Sequence, residues 1–202
     1  MSGRLRGLYA VTRPGPGLVA DVAAALRGGA RVVQYRDKTD DAERKLDEAR
    51  QLKALCAAGG ALFIVNDDPQ LARAAHADGV HLGRGDRAIA EARAMLGERV
   101  LIGVSCYDSL ARARAAAAAG ADYLAFGSLY ASPTKPDAPR ATLGLLRDAR
   151  VEFDLPLCAI GGLTPANAAP VIAAGADLVA AISGVFDADD VAAAAAAYTQ
   201  LF

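Results

Sequence analysis

Eight short, nearly unbroken apolar runs, each followed by a longer stretch with helical spacing, constrain this chain more than any other feature. The runs are Leu8–Val11, Ala30–Arg36, Ala61–Val65, Gly79–Leu82, Leu101–Ser105, Asp122–Gly127, Leu155–Ile160 and Asp177–Ile182. A strand with one wet face alternates apolar and polar residues. A parallel strand covered by helices on both sides reads as a continuous apolar run. Eight such units in 202 residues predict an α/β fold, a (β/α)8 TIM barrel of below-average size, as a single domain over residues 1–202. A doubly wound open sheet is the other arrangement of such units, but no GxGxxG turn follows the first strand.

The joints between units are also legible. "AGADYLAFG" and "AGADLVAAIS" share a Gly, then Ala-Asp, then a strand, and "GGARVVQYR" and "HADGVHLG" are looser versions. The Gly reads as a helix C-cap, so the repeat speaks for recurring β/α units rather than for a ligand. Asp40 with Glu43 reads as a capping box. Asp68-Pro69 and Thr164-Pro165 each read as an N-cap followed by Pro at the first helical position. Asp68 thereby has a structural task and is set aside as a catalytic candidate.

Charge and cysteine usage narrow the function. A net charge of −1 speaks against a general nucleic-acid or acidic-membrane surface. No apolar run reaches membrane length, and "MSGRLRGLYAVT" has no signal-peptide core. Cys56, Cys106 and Cys158 are three in number and without CxxC spacing, so buried reduced thiols in a cytoplasmic protein are expected. His81 on the fourth strand is expected to be a packed, satisfied histidine, and His76 a helix-surface residue. Tyr35 alternates away from Gln34 and Arg36 and is expected to pack under the helices.

In such a barrel the chemistry sits at the C-terminal ends of the strands. Gln34, Arg36 and Lys38 occupy alternate positions at the end of strand 2, which puts them on one face of the strand. Strand 3 ends in Asn66 and Asp67, the loop after strand 4 carries Asp86, and strand 5 ends in Ser105. Strand 6 leads into "GSLYASPTK" with Ser132, Thr134 and Lys135, strand 7 ends in Gly161-Gly162, and strand 8 ends in Ile182-Ser183-Gly184. The cations Arg36, Lys38 and Lys135, with the Asn66 amide, suit an anion with several oxygens, and diphosphate is the obvious candidate. Asp67 and Asp86 suit Mg²⁺, which takes only one or two protein carboxylates beside a polyphosphate. The glycines of strand 7 and the Ser-Gly of strand 8 suit a phosphate monoester held on backbone N–H groups. No Ser-His-Asp or Cys-His order points to a nucleophile.

The motifs "VVQYRDK", "FIVNDD", "ADGVHLGRGD", "IGVS", "GADYLAFGSLYASPTK", "AIGGLTPANAAPVIAAGAD" and "ISGVF", in this order, make the chain resemble the thiamine phosphate synthase family over essentially its whole length. The resemblance implies an Mg²⁺-dependent transferase. It joins hydroxymethylpyrimidine diphosphate to a thiazole phosphate, or its carboxylated form, and releases diphosphate. By position it implies that Gln34 binds the aminopyrimidine, and that Arg36, Lys38, Asn66, Ser105 and Lys135 hold the diphosphate. Asp67 and Asp86 then bind Mg²⁺. Ser132, Thr134, Gly162 and the N–H groups of Ile182 and Ser183 bind the thiazole phosphate. It also implies a pyrimidine carbocation formed before the thiazole nitrogen attacks. Relatives are often homodimers, so a homodimer is expected by analogy. Ser132 stands where many relatives have Thr, and Arg13 where the first strand often ends in an acidic residue. Two other readings share the barrel. One is the thiazole tautomerases, which place a His after the Gly that ends strand 6, where this chain has Ser128. The other is a non-catalytic binder of phosphorylated ligands.

Overall fold

In a computed structural model of the protein, eight parallel strands close into a barrel in sequential order. The structure describes residues 5–83, 86–131 and 140–202, with residues 86–88 as backbone only. The strands are β1 (Gly7–Val11), β2 (Val32–Tyr35), β3 (Leu62–Asn66), β4 (Gly79–Leu82), β5 (Leu101–Tyr107), β6 (Tyr123–Phe126), β7 (Leu157–Ile160) and β8 (Leu178–Ala181). After the first seven strands come α1 (Leu18–Arg27), α2 (Ala42–Ala58), α3 (Pro69–Ala74), α4 (Asp86–Leu96), α5 (Leu110–Ala118), α6 (Leu143–Glu152) and α7 (Pro165–Ala173). β8 is followed by a short α8 (Ser183–Phe186) and then by α9 (Val191–Thr199). The TIM barrel read from the eight apolar runs is present, and each strand end lies within two residues of its expected place. No helix among the described residues is long and apolar enough to cross a membrane.

Strand parity splits the core in two. Leu8, Val33, Phe63, Val80 and Ile102 point outward and pack under the helices. Tyr9, Val32, Ile64, Tyr123, Cys158 and Leu178 point inward and fill the barrel. Both faces of each strand are therefore dry, which is why the runs are continuous rather than alternating. The three cysteines are buried and free, as expected.

The Ala-Asp repeat has a physical purpose at the N-terminal face. Asp78, Asp122 and Asp177 each stand just before an even-numbered strand. Each accepts a hydrogen bond from the N–H of the second or first residue of the preceding odd strand: Phe63 at 2.8 Å, Ile102 at 2.7 Å and Leu157 at 2.9 Å. Each also pairs with a cation of the helix before that odd strand: Lys53 at 2.7 Å, Arg93 at 2.7 Å and Arg150 at 2.9 Å. At the equivalent position before β2 the chain has Arg31, so this device is absent there. Asp177→Ala leaves the N–H of fully buried Leu157 without its acceptor and Arg150 without its counter-ion. The expected cost is about 2 kcal/mol, seen as a lower urea midpoint at unchanged m-value. An unchanged midpoint would reduce the repeat to a sequence habit.

Some local expectations need correction. The cap of α2 is Asp41, one residue later than the Asp40 of the expected capping box, and Asp41 accepts from the Arg44 N–H. Asp68 does cap α3, accepting from Leu71 N–H at 2.8 Å with Pro69 behind it. Thr164 starts α7, and its N–H donates to the Asn167 side chain at 2.8 Å. His76 is not on a helix face. α3 ends at Ala74, Ala77 N–H donates back to Ala72 O, and His76 is the exposed left-handed residue of that helix end, at φ 52°.

Candidate active site

The C-terminal strand ends open on a cavity of about 140 Å³. Tyr9, Val11, Ala125, Cys158, Ile160 and Ala180 give it an apolar lining, and Gln34, Arg36, Asn66, His81, Ser105 and Ser128 a polar one. Six of the candidate site residues meet in this wall: Gln34, Arg36, Asn66, Ser105, Gly161 and Ile182. Lys38 and Asp67 are paired beside it, linked to the wall through Asn66. Gly162 and Ser183 do not line it, although their neighbours Gly161 and Ile182 do. Ser132, Thr134 and Lys135 lie outside the described residues. Asp86 is described by its backbone alone, and it begins α4 rather than sitting in a loop.

β2 stops at Tyr35, so Arg36 and Lys38 do not leave from a strand face as the alternation predicts. Arg36 N–H donates to Thr12 Oγ1 at 3.0 Å instead of to a neighbouring strand. Asp37 then turns the chain, accepting from Thr39 N–H at 2.7 Å and from the Arg44 guanidinium at 2.8 Å. Arg44 also reaches Glu48, which accepts from the buried Tyr35 hydroxyl at 2.7 Å. Tyr35 thus packs under the helices as expected, and its polar tip ties α2 to the loop that presents Arg36 and Lys38. The sequence reading missed Thr12 and Asp37. Asp37 has a signal in hindsight, since an Asx turn right after a strand fixes what comes next. Asp37→Ala is expected to raise KM for the anionic substrate about tenfold with a smaller change in kcat, because the loop loses its anchor while the reacting groups stay. A selective loss of kcat in steady-state kinetics would contradict that.

Asp67 has a left-handed backbone, φ 59°, which sets its carboxylate beside the cavity instead of extending β3. Partial burial raises its pKa, but the hydrogen bonds from Lys38 Nζ and Asn66 Nδ2, both 2.8 Å, and the Lys38 charge lower it more. It is therefore an anion at neutral pH. The stability of the pair is present above the ordinary carboxylate pKa and fades only as pH falls through the lowered one. Both partners are about half exposed, so that stability is small. Asp67 Oδ1 faces the start of the loop after β4, where an ideal Cβ on Gly83 would lie 3.5 Å away. That loop leads to Asp86. An ionised carboxylate, half open to solvent and facing a segment that carries a second one, suits a hard cation that keeps most of its waters.

The barrel centre carries a polar chain that the sequence reading only touched through His81. Gln34 Nε2 donates to Tyr9 Oη at 2.8 Å. Tyr9 and Tyr123 hydroxyls are 2.8 Å apart, Tyr123 Oη is 2.9 Å from His81 Nδ1, and His81 Nε2 is 2.9 Å from Ser105 Oγ. His81 is thus the satisfied core histidine that was expected. Burial pushes both tyrosine pKa values well above their usual range, so the two hydroxyls stay protonated. Ser105 is not the last residue of its strand. β5 runs on to Tyr107 with a bulge after Ser105, and Ser105 and Tyr107 both line the cavity.

On the opposite side, Gly161 and Gly162 have φ of 105° and 60°. A Cβ on Gly162 would stand 2.3 Å from Ala131 O, so the loop after β6 lies directly on this turn. Asn167 Nδ2 donates to Gly162 O at 3.0 Å and fixes it. Arg13, the departure at the end of strand 1, pairs with Asp187 at 2.9 Å and donates to Phe186 O, tying β1 to the far end of α8.

Known proteins resemble the chain throughout. A family model described as thiamine monophosphate synthase matches residues 8–185. The thiamine-phosphate synthase of Thioalkalivibrio sulfidiphilus is 55% identical over 98% of this chain and 96% of its own length. That of Azoarcus sp. is 54% identical over the whole of both chains. The solved thiamine phosphate pyrophosphorylase of Pyrococcus furiosus superposes with a TM-score of 0.89 at 34% identity, covering 98% of this chain and 96% of that one. With a matching family model over most of its length and relatives at more than half identity, the chain belongs to the thiamine monophosphate synthase family, whose members are transferases.

Proposed function

We propose that the chain, as one catalytic domain over residues 1–202, joins hydroxymethylpyrimidine diphosphate to thiazole phosphate, or its carboxylated form, with early ionisation of the pyrimidine C–O bond. The observation that carries this is the cavity itself, with an apolar lining, a fixed amide and a cationic edge at one barrel mouth. Gln34 is pinned by Tyr9 through its nitrogen, so its carbonyl end is the one to accept from the aminopyrimidine. Arg36, Lys38, Asn66, Ser105 and Lys135 take the diphosphate oxygens as charge grows on the leaving group. Ser132, Thr134, Gly162 and the N–H groups of Ile182 and Ser183, the last two at the start of the short helix α8, take the thiazole phosphate.

The C–O electron pair leaves with diphosphate, and the aminopyrimidine shares the positive charge left on its methylene carbon. The thiazole nitrogen then supplies the electron pair of the new C–N bond. No protein nucleophile is needed. Cys158, the thiol nearest this chemistry, is kept protonated because burial pushes its pKa up. Asp67 and Asp86 would hold Mg²⁺, which would neutralise charge on the diphosphate. What the protein adds is alignment and a fixed array of cations.

The test is purified protein with both substrates, with and without Mg²⁺, assayed for thiamine phosphate. Product that depends on Mg²⁺ supports the reading. No product from folded protein refutes it and turns attention to the tautomerase reaction. Buried reduced cysteines favour a cytoplasmic protein, and light scattering in solution tests the homodimer.

A further inference from the structure

We propose that the buried chain from Gln34 to Ser105 is a one-way hydrogen-bond relay that fixes His81 as its Nε2–H tautomer and turns the Ser105 hydroxyl proton into the cavity. The direction assigned gives each donor one acceptor within the chain. Gln34 Nε2 donates to Tyr9 Oη, so that oxygen already accepts, and the proton of Tyr9 needs an acceptor of its own. Tyr123 Oη lies 2.8 Å away and serves. Tyr123 then passes its own proton onward, to His81 Nδ1 at 2.9 Å. A neutral imidazole with an accepting Nδ1 carries its hydrogen on Nε2. That hydrogen points at Ser105 Oγ, 2.9 Å away. Ser105 Oγ lines the cavity, and because it accepts from His81 its one proton is not spent there and turns to a ligand.

The site is built for this. Tyr9 and Tyr123 are no more than 1% exposed, and Gln34 and His81 no more than 8%. The Tyr123 ring lies across Gly103, where any Cβ would meet it at 1.9 Å, so the ring has one place to be. His81 and Tyr123 are positioning residues here, acting through Ser105. The ligand class that rewards such a hydroxyl is an anion without hydrogens of its own, in keeping with the diphosphate of the proposed function, on which this last step rests. The same relay also links the two ends of the site. Gln34 at one end offers an acceptor and Ser105 at the other a donor, and both polarities come from one buried chain.

The experiment is ¹⁵N NMR of the imidazoles at fixed neutral pH in the whole protein. The chain has two histidines, and the exposed His76 serves as the internal reference. The relay requires an unprotonated, pyridine-type Nδ1 and a protonated, pyrrole-type Nε2 for His81. Tyr123→Phe, which removes one oxygen and keeps the ring, should turn this into a mixture of tautomers. It should also weaken binding of inorganic diphosphate about tenfold by calorimetry. Tyr9→Phe breaks the same relay one link earlier and stands in if Tyr123→Phe does not fold. A wild-type Nδ1–H tautomer, a doubly protonated ring, or a spectrum and affinity unmoved by both variants would overturn the proposal. If the wild type shows the Nε2–H tautomer yet binds no diphosphate, the relay stands and the proposed substrate falls.

Discussion

Arg36→Ala is expected to lower kcat/KM for the pyrimidine diphosphate by about 10²–10³, the loss typical of one preorganised donor aimed at developing charge. Arg36 lines the cavity, and its backbone is anchored on Thr12 at 3.0 Å, so its side chain starts from a fixed point on the rim. Charge on the leaving diphosphate rises as the C–O bond breaks, so the contact strengthens along the reaction. The loss should therefore fall on kcat as well as on KM. Arg36→Lys keeps the charge but not the two-pronged donor geometry, and should recover only part of the rate. Stability should hardly change, since Arg36 belongs to neither core cluster. Steady-state kinetics of both variants with thermal unfolding as the control would decide it. Full turnover in Arg36→Ala would end the idea that the cationic edge drives ionisation.

Gly103→Ala should be the most damaging single methyl group in the barrel. An ideal Cβ there lies 1.9 Å from Tyr123 Cζ and 2.3 Å from its hydroxyl. The ring is fully buried and cannot give way without breaking its hydrogen bonds to Tyr9 and His81. Overpacking alone costs about 1–3 kcal/mol, and each unsatisfied buried group adds to it. A loss of about 4 kcal/mol, roughly 8–16 °C in Tm for a chain of this size, is expected. Gly15→Ala is the comparison, since nothing lies within 4 Å of its added Cβ. It should change stability by less than about 0.5 kcal/mol. Equal melting curves for the two variants would show that the ring can move, and with it the interior packing described above.

What the sequence made legible follows from how locally each feature is encoded. Continuous apolar runs need no partner to be recognised, so all eight strands were readable. Asp68 and Thr164 were readable as caps because Pro follows each. Arg36 and Lys38 were assigned a shared strand face, and this failed because Thr12, two dozen residues earlier, takes the Arg36 N–H and stops the strand. The relay was hidden for the same reason. Tyr9, Gln34, His81 and Tyr123 lie on four different strands, and only barrel closure brings their tips within 3 Å of one another. Ser105 looked like a strand end because the bulge after it leaves no mark in composition.

The aspartates at the foot of the barrel also bear on the order in which the chain assembles. Each one caps a strand only 15 to 20 residues before it and pairs with a cation 25 to 29 residues before it. All the partners of one device therefore leave the ribosome close together, with little loop entropy to overcome. An odd strand made alone has an uncapped start, and it is completed when the next even strand arrives. The barrel is accordingly clasped in strand pairs, β3–β4, β5–β6 and β7–β8. The first pair, with Arg31 where the others have Asp, has no such clasp of its own. Its β1 is held instead by ladder hydrogen bonds to β2 on one side and to β8 on the other, where the ring closes.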